Sequence, residues 1–269
     1  MKDVMKALQS LNFLKDRVLI LVVLGFHSLV ALLAPYLQLP ATDSQDSAAL
    51  LQGPSRSHWL GTDFLGRDVF SRLLHGGRPS LVIAFSATAI ACAIGVFIGS
   101  LAALAGGWID DALSRVVDLM LALPTLILLL LIASFFGQDP LVLSVALGLM
   151  YAAPIARVAR SATQTLLARD FVRVARLQGG SRISILFGEV LPNVWRLMFT
   201  EVAMQFTWIL LAFSSLSFLG LGASPPTPEW GLMVAESRSY MTLNPLLVLA
   251  PIVMLASLVL AIQALVDHE

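Results

Sequence analysis

Charge is what this chain has least of. Only 13% of its 269 residues are charged, against roughly 25% in a soluble domain. Lysine is confined to positions 2, 6 and 15, and no Gly-Lys dipeptide occurs. A Walker A phosphate loop is therefore excluded. If the protein uses ATP, another chain hydrolyses it. The one cysteine, Cys92, rules out an intrachain disulfide. Neither H-E-x-x-H nor G-x-S-x-G is present, and His27, His58 and His75 lack metal-ligand spacing. No catalytic constellation, bound metal or cofactor is expected on this chain. Formal net charge is 0, which gives no footprint for nucleic acid.

What fills the chain is apolar sequence, 58% of all residues. A helix needs roughly 20 apolar residues to cross the hydrocarbon of a bilayer. Six stretches qualify, at about 18–37, 81–104, 116–136, 141–159, 197–218 and 246–266. The ten-residue alternation of a membrane barrel is absent, so the expectation is an all-α membrane bundle. The first run exceeds a signal-peptide core and has no A-x-A type cleavage site, and it reads as a retained span. With the N-terminus inside, twelve basic residues (Lys2, Lys6, Lys15, Arg17, Arg115, Arg157, Arg160, Arg169, Arg173, Arg176, Arg182, Arg196) face the cytoplasm. Five (Arg56, Arg67, Arg72, Arg78, Arg238) face outward. That imbalance places both termini in the cytoplasm. Residues 1–17 then form a cytoplasmic segment and 18–269 the membrane domain. Its largest inner loop is 160–196, and two longer outer loops run 41–80 and 219–245.

The inner loop contains "RDFVRVARLQGGSRISILFGEVLPN", residues 169–193. At 100° per residue, Arg169, Arg173 and Arg176 share one arc of a helix. Leu167, Phe171, Val174 and Ala175 share the opposite arc. Gly179-Gly180 ends that helix in a left-handed cap, and Ser181 caps the next. In that second helix Ile183, Leu186, Phe187, Val190 and Leu191 recur with helical spacing, and Pro192 opens a third helix. A basic helix of this kind suits an anionic lipid surface. Two short helices joined at a tight Gly-Gly angle also make a shaped knob for a soluble partner.

Elsewhere, Ala87, Ala91, Gly95, Gly99 and Ala103 form a small-residue ridge on span two, for close packing within or between subunits. Asp118 in span three has Arg115 three residues before it as a local ion-pair partner. Pro124 and Pro154 sit where they can kink spans three and four. Gln205, Thr207, Ser214 and Ser215 put polar groups on span five, where they line a path or bond to neighbouring helices. In the first outer loop Gly61 and Gly66 mark turns, and Thr62 or Asp68 caps a short helix. In the second, Gly220, Gly222 and Pro225-Pro226 stop the helix, and Trp230 suits the membrane interface.

Three motifs, "WLGTDFLGRDVFSRL", "FVRVARLQGG…EVLPN" and "LSFLGLGASPPTPEWG", resemble in this order the inner-membrane permease subunits of bacterial ABC importers. The nearest likeness is to the second, C-type permease of dipeptide, oligopeptide and nickel uptake systems. It spans about Leu14 to Asp267. It implies the type I importer fold in a bacterial inner membrane. It also implies a second homologous permease, two cytoplasmic ATPase subunits using ATP and Mg, and an extracytoplasmic binding protein. Alternating access would be driven through the inner loop, which matches the family's EAA motif, or coupling helix. On that likeness Phe171, Arg173, Val174, Ala175, Arg176, Gly179, Gly180 and Ser181 form the ATPase-docking surface. Ala175 matches the motif's second alanine, Gly179 its glycine, and Leu191-Pro192 its closing Leu-Pro. Arg173 stands at the usual glutamate and Val174 at the first alanine. The chain also stops at Asp267-His268-Glu269, where relatives continue with a polar tail. Relatives carry peptides, nickel, other chelates or glutathione-like compounds, and "TPEWG" leans toward nickel. A self-sufficient secondary transporter is the alternative, but no internal repeat or midplane charge pair supports it.

Overall fold

The computed structural model describes residues 2–267, with side chains from Arg17 onward other than Arg196. The side chains of Lys2, Lys6, Lys15 and Arg196, which enter the orientation count, lie outside that description, as do His268 and Glu269. No strand forms among the described residues. The helices are α1 (Lys2–Leu33), α2 (Val69–Ala105), α3 (Gly107–Ala122), α4 (Thr125–Phe136), α5 (Pro140–Leu167), α6 (Asp170–Leu177), α7 (Arg182–Ile185), α8 (Leu191–Phe218), α9 (Trp230–Ser237) and α10 (Leu246–Asp267). Long apolar runs favour helices because a helix satisfies every backbone group internally, without water. Five of the helices are long and apolar enough to cross a membrane, or six if the bent pair α3 and α4 counts as one span.

That pair corrects the expectation of a single span at 116–136. The helix begins at Gly107, stops at Ala122, and resumes at Thr125 after a bend of 84°. Pro124 has no N–H to continue the ladder, and it pushes Leu123 into extended backbone (φ −85°, ψ 137°). The result is a break where a kink was expected. Pro154, by contrast, lies inside an uninterrupted α5. Span two starts twelve residues earlier than its apolar run, at Val69. Asp68 caps it, with Oδ1 accepting from the Ser71 N–H at 2.7 Å. The short helix expected after Asp68 is therefore the first turns of α2. Thr62 is no cap, since its hydroxyl donates to the Ala49 carbonyl.

The chain divides into two compact units, one built from both ends of the chain (up to Val82 and from Phe213), the other from Ile83–Ala212. In the end-built unit α10 packs on α1 and α9. His27 of α1 helps to tie it, its two ring nitrogens facing the Val23 and Met254 carbonyls at 2.9 and 3.1 Å. In the central unit α5 packs against α3 and α4. The ridge of α2 lies on α5: a Cβ on Gly95 would stand 2.7 Å from Ile155 Cβ, and one on Gly99 would collide with the Ala156 carbonyl. The small residues thus serve packing within the chain.

Candidate functional site

Two parts of the molecule concentrate polar chemistry, the loop 160–196 and the pair of loops 41–80 and 219–245. The inner loop belongs to the central unit. α5 ends at Leu167, and Arg169 starts α6 from extended backbone (φ −76°, ψ 152°). Val172 is fully buried and Ala175 half-buried, so α6 touches its own chain along that strip. Phe171, Val174 and Leu177 stay exposed at 37%, 50% and 88%. The apolar arc read from the periodicity is therefore largely presented outward. Arg173 is exposed too, 3.9 Å from an equally exposed Asp170.

The Gly-Gly turn has the expected cap. Gly179 has φ +84°, which an L side chain adopts only with strain. Its N–H donates to the Arg176 carbonyl and the Gly180 N–H to the Ala175 carbonyl, both at 3.0 Å. This crossed pair is the Schellman arrangement. Ser181 Oγ then accepts from the Ser184 N–H at 3.1 Å and starts α7.

The second helix departs from the expectation. α7 is a single turn, followed without a break by a π-helical turn at Leu186–Val190 that leads into α8. Pro192 is the second residue of α8, so the expected third helix starts within one residue of it, running on directly from the π turn. A π turn absorbs the missing donor and bulk of a nearby proline, and it shifts the phase of the helix. The face 183/186/187/190/191 is accordingly split. Leu186 and Val190 are buried together with Ile185, while Ile183 and Phe187 are exposed.

The polar residues of α8 do not form one face. At 100° per residue Gln205 stands opposite Thr207 and Ser214. Gln205 Nε2 donates to Glu201 Oε1 at 2.7 Å, and its buried Oε1 has no partner among the described residues. Thr207 donates back to the Ala203 carbonyl at 3.2 Å. Ser214 donates to Glu229 Oε1 at 3.2 Å. Ser215 is half-buried.

Asp118 pairs with Arg157 of α5 at 2.5 Å, so Arg115 is not its partner. Facing helices bring the two together across 39 residues, in a pair that stays 60% and 63% exposed. One helical turn further along α5, Arg160 grips Asp110 with both Nε and Nη2, at 2.5 and 2.7 Å.

In the end-built unit the loops 41–80 and 219–245 hold a buried polar clamp that periodicity does not reveal. Arg67 and Arg72, both almost wholly buried, each place Nη2 2.9 Å from Glu236 Oε2. Arg67 also meets Asp63 at 2.6 Å, and Arg72 donates to the Thr42 carbonyl at 3.1 Å. His58 adds a contact to Asp68 at 2.8 Å. At the other end of α9, Glu229 is fully buried. It accepts from Ser80 Oγ at 2.8 Å and from the Leu232 N–H at 2.9 Å. Burial pushes its carboxyl above the ordinary carboxylate range. Trp230 is buried against α2, its Nε1 donating to the Leu73 carbonyl at 2.9 Å, so its ring faces the protein interior. The aromatic signal was present in "TPEWG", but its amphipathic ring found a partner inside the protein.

The family model of the binding-protein-dependent transport system inner membrane component matches residues 95–268. The dipeptide transport system permease protein DppC of Alkalihalophilus pseudofirmus is 34% identical over 246 residues, covering 91% of this chain and 81% of that protein. The glutathione transport system permease protein GsiD of Pectobacterium atrosepticum is 35% identical, covering 93% and 81%. A dipeptide permease of Haemophilus influenzae is 32% identical, covering 89% and 83%. Among solved structures, a chain of the MetNI methionine ABC transporter, in an inward-facing form, superposes with a TM-score of 0.61 at 19% identity. The match covers 73% of this chain and 93% of that one, and it shows a shared fold.

Proposed function

This chain belongs to the binding-protein-dependent transport system inner membrane component family, and from that premise we propose that it is one membrane subunit of an ATP-driven importer of short peptides. It works in a bacterial inner membrane beside a second, homologous permease. Two cytoplasmic ATPase subunits supply the energy, and an extracytoplasmic binding protein delivers the substrate. The curated relatives named above transport dipeptides or glutathione, which supports a peptide cargo over a nickel or other metal chelate. The N-terminus is assigned to the cytoplasm on the excess of basic residues in the loops on that side.

One observation carries the reading: the exposed knob of α6, the Gly-Gly turn and α7, on a chain with no phosphate loop of its own. A chain that cannot hydrolyse ATP must receive work through a surface contact. Phe171, Arg173, Val174, Ala175, Arg176, Gly179, Gly180 and Ser181 form that contact. Re-orientation of the subunit pair then passes through α5 and α8, which flank the knob. Gln205 is the path residue this reading favours, because its buried Oε1, unpartnered among the described residues, can accept from a passing amide.

The test is uptake into proteoliposomes. The assembly of both permeases, both ATPases and the binding protein should accumulate a labelled dipeptide only with ATP. This chain alone should accumulate none. Uptake by the isolated chain would favour the secondary-transporter alternative.

A further inference from the structure

We infer that the surface receiving the α6 knob is acidic: a cleft of the ATPase subunit that sets carboxylates against Arg173 and Arg176, with an apolar floor for Val174 and Leu177. The inference rests on the docking reading above and adds the chemistry of the partner.

α6 meets its own chain through Val172 and Ala175, about 60° apart around the helix. The face opposite that strip carries, in angular order, Arg173, Leu177, Asp170 and Val174. Leu177, Arg173 and Asp170 are exposed by 88%, 76% and 96%. A helix lying on a bilayer would turn a continuous apolar face to the acyl chains and keep its charges on the other side. Here Leu177 and Val174 flank the 96% exposed Asp170, with Phe171 beyond Val174 and Arg173 beside Leu177, so a carboxylate interrupts the exposed apolar arc. Apolar anchors beside arginine are what the buried centre of a protein interface contains.

The charge of the face sets the sign of its partner. Residues 169–193 hold Arg169, Arg173, Arg176 and Arg182 against Asp170 and Glu189, a balance of +2. The Arg173–Asp170 pair at 3.9 Å is fully solvated and holds the guanidinium weakly. Arg169, Arg176 and Arg182 make no ion pair among the described residues, whereas Arg67, Arg72, Arg157 and Arg160 all meet carboxylates. A guanidinium is a planar fork, and its best geometric match is a carboxylate. Lipid phosphates offer the same charge, but an apolar arc interrupted by the exposed Asp170 carboxylate does not suit an anionic headgroup surface.

The experiment uses the full chain, assembled in nanodiscs with its permease partner and ATPase subunits. ATPase retention is measured by pull-down at rising NaCl concentration. The wild-type complex should loosen as salt rises. The double variant Arg173→Glu/Arg176→Glu should retain at least about tenfold less ATPase, while Arg173→Lys/Arg176→Lys keeps most of it. Both positions are exposed, so neither variant threatens folding, and insertion into the disc confirms that. Full retention by the glutamate variant would overturn the inference and leave the docking reading intact. If that variant kept its ATPase but lost affinity for anionic vesicles, the arc would be assigned to headgroups instead. If the wild-type chain retained no ATPase at all, the docking reading would fall and the acidic cleft with it.

Discussion

Glu236 receives a guanidinium from each of two buried arginines, Arg67 and Arg72. Removing one partner from such a cluster leaves charge buried and unmatched, which costs about 3–5 kcal/mol. Glu236→Gln should therefore lower the thermal midpoint in detergent sharply, and an unchanged midpoint would show that the clamp contributes little. Glu229 responds to pH instead. Burial lifts its carboxyl above the unfolded value, against the opposing hydrogen bonds from Leu232 and Ser80. A group raised in this way gives its full stability below the unfolded pKa and loses it as pH rises through the folded one. Glu229→Gln cannot ionise. Its midpoint should therefore gain on the wild type as pH increases from acidic to neutral, and a difference independent of pH would contradict this account. Neither role was legible in the residue order, because Glu236 lies 169 residues from Arg67 and Glu229 is 149 from Ser80. Only the motif "TPEWG" marked the place, without saying that its glutamate is buried.

At the scale of elements, periodicity was informative wherever neighbours in sequence decide the outcome. The ridge on α2, the cap at Gly179 and the cap at Ser181 are local patterns, and each forms as its residues require. Gly99→Leu should force α2 from α5 and cost about 1–3 kcal/mol or more, read as a lowered midpoint. Ala103→Leu, at a half-buried site, should cost far less. Gly179→Val places a β-branched residue at φ +84°, a strain of about 1–2 kcal/mol. It should lower ATPase retention and uptake while membrane insertion stays normal, and normal uptake would argue against the knob. Where geometry depends on a proline, the pattern misled. Pro124 separates α3 from α4 by 84° although the apolar run continues through it. Pro192 is preceded by a π turn that no count of hydrophobic spacing anticipates. Asp118 likewise pairs with Arg157 on a facing helix rather than Arg115 on its own, since the packing of α3 on α5 sets which side chains come within reach.

For the whole molecule, hydropathy was enough to read the six apolar stretches and the all-α class, and the missing phosphate loop was enough to place any ATP hydrolysis on another chain. What remained hidden is how the outer loops are held, since buried ion pairs leave no periodic trace. The central claim is that energy enters through the knob, and cross-linking tests it most directly. Cys92 is the only native cysteine and is buried, so a Cys92→Ser background carrying Val174→Cys presents one reactive thiol. In the assembled complex that thiol should form an adduct of permease plus ATPase subunit, in a yield that changes when ATP is added. A thiol that labels with small reagents yet forms no ATPase adduct, with or without ATP, would contradict the account.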